Sequence, residues 1–316
     1  MTDRQTEIAR RVLTLRQIFA HHDAYQQAQE QFQLLLDRRR AELAAGVVME
    51  TRGLAIIGAS GSGKTTAVSR IFTHTPGLII KDPESPRRDA VSCQVSSPAT
   101  LKFVGQTVLE ALGYPLRRNK TEMIIWAMVK QQMQAQRTLF LHLDEAQDLL
   151  RHQTPKGLQS VVRTLKSLMQ NGDWPVSIIL SGMPELKELL NHDPQLGRRF
   201  FPIEFPKLHP DIDGDNAIQM TASYADRAGL GVSDHFDNRF AARLIHAADS
   251  EFGLIIELVI GAIEEALLSD ARILEAKHFS YNFRRRSGCV NALNPFIAED
   301  FERIDTRLLL QAEVLP

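Results

Sequence analysis

Residues 58–65 read Gly58-Ala59-Ser60-Gly61-Ser62-Gly63-Lys64-Thr65, a full match to the phosphate-binding pattern G-x-x-x-x-G-K-[ST]. The chemistry open to such a run is anion binding by the backbone. Glycines let the chain wind tightly around phosphate oxygens, and successive N–H groups at the positive end of a following helix face the anion. Lys64 would reach the β- and γ-phosphates of ATP, the Thr65 hydroxyl would sit on Mg²⁺, and Thr66 would lie beside them. The flanking elements suit this task. Leu54-Ala55-Ile56-Ile57 is a short apolar run fit for a buried parallel strand, and Thr66-Ala67-Val68-Ser69-Arg70-Ile71-Phe72 can open a helix. A glycine-rich turn without a ligand would not require strand, loop and helix in this order.

The second half of such a site lies further along. Thr138-Leu139-Phe140-Leu141-His142-Leu143 is another apolar strand candidate, and it delivers Asp144-Glu145 to its carboxyl end, the Walker B arrangement. Asp144 would hold Mg²⁺ directly or through water, and Glu145 would polarise the attacking water. Many strands end in an acidic turn, so the pair is informative only together with the phosphate loop. A base beyond the metal ligand points to hydrolysis rather than to nucleotide binding alone. His142, inside this strand, reads as a packed histidine rather than a catalytic one.

The whole chain sets the bounds. It has 316 residues, 44% hydrophobic and 24% charged, as an ordinary water-soluble globular protein of one or two domains has. No apolar run reaches the length of a membrane span, and the N-terminus lacks a signal-peptide pattern. Cys93 and Cys289 stand far apart without metal-ligand spacing, which fits free thiols in a reducing cytoplasm. A net charge of −1 advertises no bulk attraction to nucleic acid, although local basic stripes are compatible with it.

Residues 1–50 read as a helical extension, with Leu34, Leu35, Leu36 and Leu43 on an apolar side and Arg38-Arg39-Arg40 on a solvated one. From Thr51 strands alternate with helices. Leu78 to Ile80, Val91 to Val95 and Val176 to Leu180 are further strand candidates. Ala99 to Leu112, with Pro98 before it and Gly113 after it, Glu122 to Gln136 and Leu158 to Met169 are helices. Trp126, at a helical position, reads as core. This alternation implies a parallel sheet between helices, with ligands at the carboxyl ends of the strands. After residue 208 strand signals fade. Asn216 to Arg227, Asn238 to Ala248, Gly253 to Leu268 and Ala276 to Phe283 read as helices, separated by Asp-Gly-Asp and Gly-Leu-Gly-Val breaks. The expected division is an α/β nucleotide domain over 51–208, a helical domain over 209–283 and a tail over 284–316.

That layout resembles an AAA+ P-loop NTPase, with a parallel sheet between helices, a small C-terminal helical lid and an N-terminal helical extension. The resemblance implies three further roles. Ser181, after the strand Ile178-Ile179-Leu180, fits sensor 1 beside the γ-phosphate, though a Ser-Gly-x-Pro turn is as good a local reading. Arg198 or Arg199, in Gln195-Leu196-Gly197-Arg198-Arg199-Phe200, fits the arginine finger, with Arg199 slightly favoured. The sensor 2 arginine is absent or supplied elsewhere, since the lid reads Gly253-Leu254-Ile255-Ile256-Glu257. Slow or partner-dependent hydrolysis would follow.

Over residues 50 to about 300 the chain also resembles the transposition ATPases of the TniB/TnsC type. The resemblance is carried by the phosphate loop, by Val95-Ser96-Ser97-Pro98-Ala99-Thr100-Leu101-Lys102 leading to Ala111-Leu112-Gly113-Tyr114-Pro115, and by Leu143-Asp144-Glu145-Ala146-Gln147. Ser181-Gly182-Met183-Pro184-Glu185-Leu186, Arg198-Arg199-Phe200, Ser287-Gly288-Cys289 and Asn294-Pro295-Phe296 add to it. It implies an ATPase that binds double-stranded DNA without sequence specificity and assembles with ATP as a homo-oligomer, in rings or helical filaments. Such proteins recruit a DDE transposase, and in CRISPR-associated elements they meet a TniQ-like adaptor. The same resemblance places the DNA contacts on Thr100 and Lys102 at a helix start and on the loop Arg117, Arg118, Lys120 and Thr121. From the letters alone that loop is equally a solvated one. Arg284-Arg285-Arg286 is open between DNA and a protein partner. Competing readings are a remodelling, secretion-type or helicase-loader ATPase, and a nucleotide-gated scaffold that never touches DNA.

Overall fold

The computed structural model describes residues 3–82, 84–97, 99–151 and 154–308. Its first elements are helices α1 (Asp3–Arg16) and α2 (Asp23–Ala45), strand β1 (Gly53–Ile57), α3 (Lys64–His74), β2 (Ala90–Gln94), α4 (Leu101–Ala111) and α5 (Glu122–Ala135). Then come β3 (Phe140–Asp144), a 3-10 turn over Ala146–Leu149, α6 (Pro155–Met169), β4 (Ser177–Gly182), α7 (Leu186–His192), α8 (Pro194–Gly197) and β5 (Phe200–Glu204). The chain closes with α9 (Pro210–Arg227), β6 (Gly231–Val232), α10 (Asn238–Ala247), α11 (Phe252–Leu268), β7 (Ile273–Leu274) and α12 (Ala276–Ser287). It divides into two compact units, residues 22–205 and the remainder on both sides.

In the first unit five parallel strands join in the order β2-β3-β4-β1-β5. The central strands β1, β3 and β4 are buried at every position, as near-continuous apolar strands must be in a sheet covered on both faces. The edges read less clearly. Strand β5 escapes sequence recognition because it is short, partly exposed and contains Pro202; an edge strand tolerates that missing donor. Conversely, Leu78 to Ile80 forms no strand. The buried Asp89 carboxylate takes the Ile79 N–H at 3.0 Å, and the Ile79 carbonyl accepts from the Asp89 N–H at 2.6 Å, so this segment is tied to one residue rather than laddered.

The expected N-terminal extension is not one body. Helix α1 belongs to the second unit, where Ile8, Val12 and Leu15 join the core of α9 to α12, whereas α2 belongs to the sheet unit. On α2, Phe32 is fully buried with its ring centroid 4.5 Å from Phe140 and 5.7 Å from Phe72, and Leu35 and Leu36 are buried beside it. Leu34 and Leu43 face solvent instead. Of the arginine run, Arg39 is buried, paired with Glu42 at 3.0 Å and stacked 5.2 Å over the Trp174 ring.

The second unit departs from expectation at both ends. Helix α9 starts at Pro210, so the Asp-Gly-Asp segment lies inside it and Gly214 is buried against Ala241 of α10. The tail is packed as far as it is described. Arg243 donates to the carbonyls of Pro295 and Ala298 and stacks 4.6 Å from the Phe301 centroid, while the fully buried Asn294 donates to the Ser280 carbonyl at 2.9 Å. Arg285 and Arg286 are engaged by Glu265 at 2.7 Å and Glu257 at 3.2 Å on α11. Pro98 lies outside the described residues. Phe32→Ala should cost the sheet unit about 3–5 kcal/mol in urea or guanidinium unfolding, because the site can collapse only partly. A loss below about 1 kcal/mol would place α2 outside that core.

Candidate functional site

The phosphate loop leaves the end of β1 and enters α3 at Lys64. Gly61 and Gly63 take left-handed φ values of 84° and 96°, conformations that strain other residues. Gly58 is needed for another reason: a Cβ there would meet Phe205 Cβ at 2.8 Å and Ser62 Oγ at 2.7 Å. No side chain caps the start of α3, so its first N–H groups are available to an anion. Lys64 is largely buried and its ammonium rests on the Ala59 carbonyl at 2.7 Å, on the inner side of the loop.

Strand order then assembles the rest. With β4 between β1 and β3, the carboxyl ends carrying Lys64 and Thr65, Ser181, and Asp144 lie side by side. Asp144 accepts from the Thr65 hydroxyl at 2.7 Å on one oxygen and from the Ser181 hydroxyl at 2.5 Å on the other. A hydroxyl and a single carboxylate are what Mg²⁺ takes from a protein when phosphates and water complete its octahedron. Among the described residues no group of three or more His, Cys, Asp or Glu could hold a metal by itself.

Glu145, the next residue, has φ 55°, uncommon for a side chain that is neither Asn nor Asp. Its carboxylate accepts from the Gln147 amide at 2.5 Å, while Gln147 Oε1 accepts from the Met183 N–H at 3.0 Å. Gln147 is buried, and a Cβ at Gly182 would lie 2.4 Å from its Oε1. Gly182 thus leaves room for a glutamine that ties Glu145 to the strand carrying Ser181. The sequence assigns Gln147 no role beyond its place in Asp-Glu-Ala-Gln.

His142 is buried between Ser92 Oγ, 2.8 Å from Nδ1, and Ser181 Oγ, 2.7 Å from Nε2. Burial pushes its pKa down to about 4, with Asp144 opposing the shift. Burial, aided by the Asp144 charge, pushes the Cys93 thiol up to about 12, so this cysteine is not a nucleophile. Both cysteines are free, as their spacing implies.

The two arginines separate. Arg199 is held by Glu50 at 2.9 Å and by the Gln195 carbonyl at 2.6 Å. The Glu50 carboxyl lies below the usual range through its hydrogen bonds to Gln170 and to Arg199. Arg198 is exposed and makes no side-chain pair among the described residues.

Thr100 and Lys102 stand at the start of α4, and Lys120 and Thr121 just before α5, two helices that touch near their starts. Trp126 Nε1 donates to the Leu101 carbonyl at 3.1 Å, and a Cβ on Gly105 would meet Ile125 Cγ2 at 2.7 Å. Trp126 is a core anchor, as read from its helical position. Thr100 caps α4, accepting from the Phe103 N–H at 3.2 Å, and Thr121 stands at the N-cap of α5. Arg117, Arg118, Lys120 and Thr121 are exposed, Lys102 is half-buried, and none of these cations pairs with an acid among the described residues. Phe103, Met123 and Ile124 are exposed around them.

Known proteins bear on this geometry. A family model described as "Bacterial TniB protein" matches residues 15–210. No curated protein matches the chain. The Orc1 protein of Aeropyrum pernix, solved in complex with DNA, superposes with a TM-score of 0.60 at 14% identity, over 85% of this chain and 66% of that one. The Aeropyrum pernix ORC2 protein, in ADPNP–ADP complexes, gives 0.58 at 14% identity over 83% and 68%. Cdc6p from Pyrobaculum aerophilum gives 0.56 at 16% identity over 82% and 66%. The chain thus spans just under two thirds of two of these proteins. The shared fold is that of AAA+ proteins, a five-stranded parallel sheet between helices with further helices beyond it.

His142 makes the site acid-sensitive. Its folded pKa of about 4 lies below the ordinary 6.5, so between these values the unfolded chain takes up a proton that the folded chain refuses. This contribution to stability is complete above pH 6.5 and is lost as the pH falls toward 4. In protein free of metal and nucleotide, Tm should decline through this window, and His142→Gln should decline less steeply; parallel curves would show that His142 is protonated in the folded state.

Proposed function

The chain belongs to the bacterial TniB protein family, and from that premise we propose that it is an ATP-dependent regulator of DNA transposition. In this reading it binds double-stranded DNA without sequence preference, oligomerises on the target and recruits a DDE transposase with a TniQ-like adaptor. It works in the cytoplasm; among the described residues no helix is long and apolar enough to cross a membrane.

The observation that carries the nucleotide part is the Asp144 carboxylate shared between Thr65 and Ser181, with Glu145 adjoining it. Backbone N–H groups of residues 58–65 and the Lys64 ammonium would hold the phosphates, and Thr65 and Asp144 would hold Mg²⁺. When bound, Mg²⁺ would neutralise phosphate charge as it develops. Glu145 would orient the attacking water once Gln147 releases it, and Ser181 would donate to the γ-phosphate. Arg198 is the better trans finger, because Arg199 would first have to leave Glu50 and the Gln195 carbonyl. Such a finger acts only on a neighbouring protomer, so hydrolysis would be coupled to assembly.

The DNA part rests on the paired starts of α4 and α5. Two helix N-termini with threonine at the N-cap positions, and cations that pair with no acid among the described residues, suit phosphates and read no bases. Each protomer would make few contacts, and an oligomer would multiply them into a grip that is strong, salt-dependent and indifferent to sequence.

Electron microscopy with random-sequence duplex DNA should show rings or filaments with ATP and none with ADP. Particles indifferent to DNA would favour a remodelling or scaffold ATPase. Lys64→Ala should abolish nucleotide binding and assembly, and Glu145→Gln should bind ATP, stop turnover and trap the DNA-bound oligomer. Normal assembly in the first, or normal turnover in the second, would remove these residues from their roles. Replacing Lys102, Arg118 and Lys120 together by Ala should weaken binding to all sequences and lower the slope of log K against log salt by up to about 3 per protomer. An unchanged slope would exclude this surface.

A further inference from the structure

Strand β3 carries one buried polar residue that neither the nucleotide nor the apolar core requires. His142 lies two positions before Asp144, in register with Ser92 on β2 and Ile179 on β4. Its neighbours in sequence, Leu141 and Leu143, are buried and apolar. The imidazole stands edge-on to Phe72, with ring centroids 6.1 Å apart and planes at 87°, which fixes its plane.

The hydrogen bonds around it determine where each proton sits. Ser181 has one hydroxyl proton and donates it to Asp144 Oδ1 at 2.5 Å, and an ionised carboxylate has none to return. Toward the ring, 2.7 Å away, Ser181 Oγ must therefore accept. This places the imidazole proton on Nε2 and leaves Nδ1 to accept from the Ser92 hydroxyl at 2.8 Å. Every proton along Ser92, His142 and Ser181 then points toward Asp144.

We propose that His142 is a positioning residue for ATP hydrolysis: its Nε2–H occupies the acceptor side of Ser181 and keeps the serine hydroxyl proton directed into the nucleotide site. This rests on the hydrolytic reading given above. Ser181 is fully buried, so without the ring its oxygen has lost a partner and its proton is free to turn away. The ring itself touches no reacting atom and acts through Ser181. A leucine at position 142 would preserve apolar packing but not this direction.

The test is steady-state ATP turnover with DNA, together with binding of a fluorescent N-methylanthraniloyl ATP, in five variants. His142→Leu should lower kcat roughly 10–100-fold while KM and nucleotide affinity stay within about twofold, as for other residues that act through a ligand-contacting group. His142→Gln, whose amide N–H reaches the place of Nε2, should retain most of the activity. His142→Asn, whose amide stops near Nδ1, should fall with leucine. His142→Leu combined with Ser181→Ala should be no slower than Ser181→Ala alone, because the effect passes through that hydroxyl. Losses that multiply in the double variant, wild-type turnover in His142→Leu, or equal activity of the Gln and Asn variants would each overturn the role of His142. The Gln and Asn pair settles the question if His142→Leu fails to fold. Absence of turnover in the unaltered protein would overturn the hydrolytic reading, and this role with it.

Discussion

The carboxylate of Asp144 is the point on which the site depends. It is buried at the carboxyl end of a central strand, and a buried charge is tolerable only where donors surround it. Thr65 and Ser181 supply those donors from two neighbouring chain segments, so one charge binds the phosphate loop, β3 and β4 together. The strand order makes this possible. With β4 inserted between β1 and β3, segments far apart in sequence arrive within hydrogen-bond distance of one oxygen pair.

Around that charge lies a second layer that controls direction more than affinity. Gln147 bridges Glu145 to the Met183 backbone, and Gly182 leaves it the room. His142 orients Ser181 from the opposite side. Glu145 and Ser181 are therefore both held by neutral polar side chains, Gln147 from the 3-10 turn that follows β3 and His142 from β3 itself. Elsewhere in this unit α4 and α5 touch near their starts because Gly105 leaves the room and Trp126 bonds across.

Several features were legible in the letters because they depend on local chemistry. The phosphate loop, the strands β1, β3 and β4, and the acidic pair after β3 need only apolar runs, glycines and their order. Other features were hidden because they depend on partners distant in sequence. Strand β5 is recognisable only beside β1, since Pro202 argues against a strand until its edge position is known. Leu78 to Ile80 has strand composition, but Asp89 captures its backbone. The basic run Arg284-Arg285-Arg286 resembled a binding patch, yet Arg285 and Arg286 face acids on α11. The letters slightly favour Arg199 over Arg198 as a finger, but Glu50 engages Arg199.

By itself the sequence determined the fold class and the two segments that meet at Asp144, because backbone geometry and residue type suffice to specify a phosphate loop and a strand ending in acids. Only the tertiary structure decided how the site is wired. Hydrogen-bond direction at Ser181, the anchoring of Gln147 on the Met183 backbone, the pairing of Arg199 with Glu50 and the contact of α4 with α5 are all properties of residues that meet from segments distant in sequence. Sequence spacing carries no information about those meetings, and burial, which makes each unsatisfied polar atom costly, is what forces them to occur.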